Sequence, residues 1–285
     1  MIQALVSSIV LIILAPFIGG LLCGIDRKLT ARMQNRIGPP ILQPFYDVLK
    51  LWGKQPMISS SLQPVLASSY FLFSVVALAL LVFRQDLLLA IFTMALADVS
   101  LVLGSFSARS PYSYIGGRRE LLQILSYEPI LILTAVGFYL LIKSFVIENL
   151  FKAGITPIAY LPGFFLALLL VLPIEARKSP FDISASHHAH QEIVRGVFTE
   201  FSGFNSALIE LGHWVKLIFF LSILALFFTP NFILGSFIAF IAFFASMLID
   251  NIFARLTWKS MLKITWSVGL ALILVNIALL LHLGV

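Results

Sequence analysis

The run LLLAIFTMALADVSLVLGSFS, residues 87–107, decides the fold of this chain. It carries a single charge, Asp98, in an otherwise apolar and small-residue stretch. At about 1.5 Å per residue, a helix of this length covers the roughly 30 Å hydrocarbon core of a bilayer. A helix also satisfies its backbone polar groups internally, which lipid demands. Comparable apolar runs lie on either side, at about 3–25, 65–83, 127–147, 158–175, 206–229, 231–250 and 264–283, separated by Pro, Gly and charged residues. The expectation is an all-α polytopic membrane protein of about eight transmembrane helices, forming a single integral membrane domain over 1–285. A seven-span arrangement arises if the short segment 158–175 is re-entrant.

Composition agrees. The 285 residues are 60% hydrophobic and 11% charged, with a mean hydropathy of +1.03. A soluble protein of this size could not cover that much apolar surface, and no sizeable soluble domain is visible in the sequence. The first 25 residues lack a basic start, and their apolar stretch is about twice that of a cleavable signal, so they read as a retained span. Cys23 is the only cysteine. One thiol cannot hold an iron–sulfur cluster, which takes about four protein ligands, nor form an internal disulfide. Redox chemistry therefore falls to a partner.

The basic residues set the orientation. Segments 26–64, 108–126, 176–205 and 251–263 hold fifteen of the nineteen Lys and Arg residues. The opposite connections hold Arg84, Lys143 and Lys152, and Lys216 lies inside a span. Positive charge stays in the cytoplasm. Both termini are therefore expected outside a prokaryotic cell membrane, with the long basic loops cytoplasmic. Basic loops also meet anionic head groups, but Gln34-Asn35-Arg36-Ile37-Gly38-Pro39-Pro40 and Ser179-Pro180-Phe181-Asp182 read as defined backbone shapes, because Pro fixes φ and restricts the residue before it. These loops are expected to form a docking face for a cytoplasmic partner. Within the first of them, Phe45, Val48, Leu49 and Trp52 share one helical face of segment 41–54, while Asp47, Lys50 and Lys54 lie largely off it. That pattern predicts an amphipathic helix in the inner interface.

Ionisable side chains inside a membrane are costly and usually mark a pathway. Asp98 lies well inside the third span and Glu210, His213 and Lys216 lie in the sixth. Glu128 begins the fourth, Glu175 ends the fifth and Asp250 ends the seventh, where a water boundary explains them equally well. The spacing of Glu210, His213 and Lys216 allows pairing along one helix. Linked by water, such carboxylates can pass a proton inwards. A sodium ion, held by several oxygens, is the alternative.

His187, His188 and His190 crowd one loop. No H-E-x-x-H or cysteine pattern accompanies them, so solvated loop positions, partner contacts or proton entry are the readings ahead of a metal site. Gly116-Gly117 lacks the strand–turn–helix setting of a nucleotide loop. No nucleophile motif or nucleic-acid platform is visible, and the net charge of +6 follows from the basic loops.

The motifs resemble a known family. Asp26-Arg27-Lys28 with Ala31-Arg32-Met33-Gln34-Asn35-Arg36-Ile37-Gly38-Pro39 is similar to the first cytoplasmic loop of the complex I membrane subunit that forms the quinone chamber. Gln43, Asp47 and Lys50-Leu51 fit its continuation. Gln123-Ile124-Leu125-Ser126-Tyr127-Glu128 resembles its Gln-x-x-Ser-Tyr-Glu motif. Glu175-x-x-Lys178-x-Pro180-Phe181-Asp182, then Glu192, Gly196 and Thr199-Glu200-Phe201-Ser202-Gly203, resembles its third inner loop. Two departures separate the chain from the quinone enzymes: Lys178 stands where they usually have Arg, and the loop after Asp182 is longer and bears the histidines. This version is similar to the membrane subunit of energy-converting, Ech-type (group 4) nickel–iron hydrogenases.

That resemblance implies a subunit without cofactor or catalytic residues of its own, coupling electron transfer in its partners to proton or sodium translocation. Nickel–iron and iron–sulfur centres would sit in hydrogenase large and small subunits and an iron–sulfur subunit, and an antiporter-like membrane subunit would lie alongside. It makes Glu128, Glu175 and Asp182 path carboxylates, with Glu192 and Glu200 at acidic loop positions. Asp98 and Glu210 join them from expected burial. Arg27, Arg32, Arg36, Arg118, Lys178, His187, His188 and His190 are expected at the docking face. The alternative is the quinone-binding membrane subunit of a complex I-type dehydrogenase.

Overall fold

The computed structural model describes residues 2–178, 180, 181, 184 and 195–282, with side chains from residue 8 onward. Asp182, His187, His188, His190 and Glu192 lie outside the described residues.

The chain is all-helical among the described residues, apart from two isolated bridges. α1 (Ile2–Met33) is followed by the short α2 (Gln43–Trp52). α3 (Leu62–Val82) and α4 (Leu87–Ser107) pack as an antiparallel pair. The Asp86 side chain caps α4 by accepting the Leu89 N–H at 3.0 Å, satisfying one of the orphan donors of a helix start. α5 (Pro111–Ile142) starts with Pro in the first turn, where a missing N–H costs nothing. α6 (Ile147–Ala153) and α7 (Pro157–Tyr160) are short and lead into α8 (Pro162–Glu175). α9 (Gly203–Leu226), α10 (Phe232–Ile252), α11 (Trp258–Ile264) and α12 (Leu270–His282) complete the bundle. A π-helical stretch, Thr265–Gly269, joins the last two into one continuous rod.

Among the described residues, seven helices are long and apolar enough to cross a membrane. The eighth expected span corresponds to α8, whose fourteen residues rise only about 21 Å. α8 is surrounded by α5, α9, α10 and α12, and Phe164, Ala167, Leu168 and Val171 are fully buried. Its N-terminus is held by Asn276 of α12, which accepts the Gly163 N–H at 2.8 Å and donates to the Tyr160 carbonyl at 2.9 Å. Gly163 is required here, since a Cβ would come within 2.5 Å of the Leu272 carbonyl oxygen. α9 is the central post of the bundle, packing against α1, α2, α3, α8 and α10.

Two expected boundaries are corrected. Segment 108–126, read as a loop, is helical from Pro111, so α5 extends well beyond the apolar part. α1 likewise runs on to Met33, through Arg27, Lys28 and Arg32. Charged residues continue these helices because their ends leave the apolar zone, where a helix needs no apolar surface. The amphipathic helix of 41–54 is present as α2, with Pro44 and Val48 buried and Leu49 and Trp52 exposed. Trp52 meets the Phe204 ring edge-on at 5.1 Å.

The four basic segments meet one another. Met57 and Ser202 exchange two hydrogen bonds, at 2.7 and 2.9 Å. The Leu256 N–H donates to the Pro180 carbonyl at 2.5 Å. At the other end, residues 84–87 and 145–148 pair through Leu87 N–H to Phe145 carbonyl (2.9 Å) and Ile147 N–H to Gln85 carbonyl (3.1 Å).

Candidate functional site

Among the described residues, charged side chains on or just after α1, α4, α5, α8, α9 and α10 form three buried or half-buried clusters, running inward from the basic end of the bundle.

At the mouth, Lys178 follows α8 and hydrogen-bonds Asp26 of α1, with Asp250 of α10 at 3.8 Å. Asp26 and Lys178 border an open hollow of about 410 Å³ shared with Arg27, Thr30, Arg36 and Gly38. Beside it, Arg27 pairs with Asp47 of α2 at 2.8 Å and reaches Glu210 of α9 at 4.0 Å.

Deeper, Arg177 pairs with Glu120 of α5 at 3.1 Å. Ser184 donates a second hydrogen bond to Glu120. Arg177 has a left-handed backbone, φ 54°, which turns the chain out of α8. Its guanidinium stacks over the Phe198 ring at 4.5 Å. Burial works against that charge, yet the acid of Glu120 beside it more than compensates and holds Arg177 above its ordinary pKa.

At the centre, Lys216 of α9 reaches three other helices. Its Nζ donates to Asp98 Oδ1 of α4 at 2.7 Å and to Tyr127 Oη of α5 at 3.0 Å. It also stands 2.9 Å from Glu175 Oε1 at the end of α8. Tyr127 donates in turn to Asp98 Oδ2 at 2.5 Å. Asp98, Glu175 and Lys216 are 1%, 4% and 5% exposed, so this pairing is shielded from water. Asp98 is satisfied on both oxygens. Glu175 is held by its ion pair to Lys216 and accepts no other hydrogen bond among the described residues. A cavity of about 10 Å³ adjoins the cluster and is lined by Asp98, Tyr127, Glu128, Glu175 and Lys216.

The sequence expectations divide accordingly. Asp98 and Glu175 are brought together, and Glu128 borders their cavity while remaining half-exposed. Glu210 is not in this cluster. Pairing among Glu210, His213 and Lys216 is replaced by contacts to other helices: Glu210 turns to Arg27 and Lys216 to Asp98. A separation of six residues places two side chains about 240° apart around a helix, on different faces. Glu200 is half-exposed in the turn before α9. Arg32 and Arg36 are exposed, Arg36 bonding to Gln34. Arg118 is exposed and stacks on Tyr114 at 4.5 Å. Glu120, Tyr127, Arg177 and the central position of Lys216 were missed. Among the described residues, no group of three or more His, Cys, Asp and Glu could hold a metal ion.

The fold and the site together define a polytopic, all-helical membrane protein with a ladder of internal ion pairs. The chain belongs to the NADH dehydrogenase family, whose model matches residues 6–281. It is 29% identical to the H subunit of NADH-quinone oxidoreductase from Geobacillus kaustophilus (strain HTA426), over 89% of this chain and 86% of that protein. It is 30% identical to hydrogenase-4 component C of Escherichia coli (strain K12), over 80% of this chain and 75% of that protein. A solved structure of the membrane-bound sulfane sulfur reductase, an archaeal respiratory membrane complex, contains a chain of the same fold. The TM-score is 0.82 and the identity 24%, covering 96% of this chain and 98% of that one.

Proposed function

We propose that this chain is the membrane subunit of a ferredoxin-dependent, energy-converting hydrogenase, and that it couples electron transfer in its partners to ion movement through the bilayer. The observation that carries this reading is the ladder of buried charge. Asp26 and Lys178 at the mouth, Glu120 and Arg177 below them, and Asp98, Glu175 and Lys216 at the centre form a graded series from a basic surface into the apolar interior. Isolated buried charges are expensive, so a series of them in a membrane bundle has a function beyond anchoring.

In this reading the basic end faces the cytoplasm and both termini lie outside. Arg27, Arg32, Arg36, Arg118, Lys178 and the histidines at 187, 188 and 190 order the docking face for the hydrogenase large and small subunits. A redox event there shifts charge or backbone at 175–200. The shift changes the proton occupancy of Glu175 and Asp98, and through Glu128 the change travels sideways to an antiporter-like membrane subunit. Asp182, Glu192 and Glu200 supply the entry, and Glu210 a side branch at Arg27. Such coupling requires two arrangements of different ion affinity. Likeness to hydrogenase-4 component C supports the hydrogenase partners. Likeness to the NADH-quinone oxidoreductase protein over a larger share of the chain favours a second reading, a quinone-binding subunit of a complex I-type dehydrogenase.

Mild purification followed by identification of the associated chains tests both. Nickel–iron and small iron–sulfur subunits are the expected companions. Flavin-bearing, nicotinamide-oxidising subunits would transfer the assignment to the second reading, and a chain that purifies alone from its native bilayer would contradict both.

A further inference from the structure

We infer that the bundle carries an anionic phospholipid site at the end opposite its basic segments, with one hydrocarbon tail in a groove between α1, α3 and α9 and the phosphate on Arg84. The inference goes beyond the coupling reading above and does not depend on it.

The groove follows from the helix faces. Leu11, Ala15 and Ile18 recur at three- and four-residue spacing and so share one face of α1. Leu78 of α3 and Ile218 and Ser222 of α9 line the same space, and the small Ala15 side chain at mid-height leaves it open. The Ser222 hydroxyl donates to the Ile218 carbonyl at 2.7 Å, so even this residue offers the groove no free donor. At the inner end α1 and α9 close together, where a Cβ on Gly19 would come within 2.5 Å of the Trp214 carbonyl oxygen. The volume is about 230 Å³. An apolar cavity of about 150 Å³ already holds benzene. From Leu11 to Ile18, α1 rises about 10 Å, roughly two-thirds of one leaflet's share of a hydrocarbon core about 30 Å thick. Spread over that height, the volume corresponds to a cross-section on the order of 20 Å². A helix is about 10 Å or more across and takes roughly four times that area. The groove therefore suits one hydrocarbon chain and not the transmembrane helix of a partner.

The charge at its open end selects the head group. Arg84 follows α3, and its guanidinium lies over the Phe151 ring at 4.0 Å and pairs with Glu148 at 3.1 Å. Lys152 stands 3.8 Å from the same carboxylate, so two cations share one acid and a net positive charge remains. The neighbouring acid, Asp86, is engaged at the start of α4 by the Leu89 N–H. Guanidinium carries five N–H donors, in a fork that matches phosphate, and Glu148 accepts from one nitrogen. Arg84, Phe151 and Phe232 line both the groove and an adjoining open hollow of about 740 Å³, where Asn231 adds an amide. One arginine thus stands where an apolar slot meets space for a head group. A free phosphate would leave the slot empty, and an uncharged hydrocarbon would leave the arginine unused.

The test is photo-crosslinking of the purified protein, with the chains that accompany it, by phosphatidylglycerol bearing a diazirine in one acyl chain. Mass spectrometry then locates the label. Label on Leu78, Ile218 and Ser222 should saturate, be displaced by unlabelled phosphatidylglycerol, and fall about ten-fold in Arg84→Gln, the value of one charge-assisted hydrogen bond. Ser222→Phe, which fills the slot and leaves Arg84 in place, should abolish it. Label on the exposed Leu96 and Leu103 of α4 should not saturate and should be equal in all variants. Groove label that neither saturates nor is displaced, or that is unchanged in Arg84→Gln, would overturn the inference. A groove that takes no label because another membrane chain covers it would overturn it equally. Saturation and displacement are read on the wild-type protein and decide the matter even where a variant fails to assemble.

Discussion

Lys216 Nζ and Asp98 Oδ1 are 2.7 Å apart, although 118 positions separate them in the chain. The contact ties α9 to α4 inside the bundle, and Tyr127 and Glu175 add α5 and α8 to the same knot. Breaking one side of a buried pair typically costs about 3–5 kcal/mol, because the other charge is stranded, whereas removing both partners is far milder. Lys216→Met and Asp98→Asn should each lower the unfolding free energy of the detergent-purified subunit by about that much. The double variant should recover most of the loss. A double-mutant cycle in thermal or denaturant unfolding measures the coupling, and additive losses would show that the two side chains do not act as a pair.

Gly116 fixes the inner segment against α5. A Cβ at this position would lie 2.2 Å from the Val197 backbone nitrogen and 2.3 Å from the Gly196 carbonyl carbon, and backbone cannot yield as a side-chain tip can. Gly116→Ala should cost about 1–3 kcal/mol, as overpacking does, and should raise proteolytic cleavage near 195–198. Gly53→Ala is the control, since its nearest neighbour would be an ordinary 3.8 Å away. Equal cleavage of the two variants would contradict the packing described.

Arg27 and Asp47 form a pair in which both side chains remain about two-fifths exposed, at 38% and 42%. Exposed pairs contribute only about 0.2–1 kcal/mol. Arg27→Gln should therefore change the stability of the subunit by less than about 1 kcal/mol while weakening retention of the soluble partner module, most visibly at raised salt. Co-purification yield against salt concentration reads the difference. Intact retention together with a large stability loss would make Arg27 a structural residue only.

The orientation is open to labelling. In a Cys23→Ser background, single cysteines replacing the exposed Lys54, Lys259 and Lys152 carry the test. A membrane-impermeant thiol reagent applied to whole cells should label the cysteine replacing Lys152 and reach the other two only after permeabilisation. The reverse pattern would invert the topology.

How far the fold could be read from the sequence depends on what the solvent demands. Apolar runs announce helices because lipid leaves the backbone no alternative, and the single charge in 87–107 marked Asp98 as buried, which it is. The amphipathic α2 was legible for the same reason. Glu120 escaped because Arg109, Arg118, Arg119 and the Gly116-Gly117 pair gave 108–126 the look of a loop. Once that segment is helical, its buried residues Ser113, Gly116, Gly117, Glu120, Gln123 and Tyr127 recur at three- and four-residue spacing, a signal that small and polar residues concealed from an apolar reading. The pairing of Lys216 with Asp98, Tyr127 and Glu175 had no local signature. Its neighbours on α9 offered a plausible pairing with Glu210 and His213, and only the assembly of α4, α5 and α8 around it decided otherwise.

The central claim is that the buried ladder couples a partner's redox chemistry to charge movement. The most direct measurement compares two activities of the assembled complex carrying Glu175→Gln: hydrogen turnover with an artificial electron acceptor, and ferredoxin-linked turnover coupled to ion uptake in sealed vesicles. Dye-linked turnover should survive while ion-coupled turnover collapses. Ion uptake at the wild-type level with the neutral side chain in place would contradict the claim.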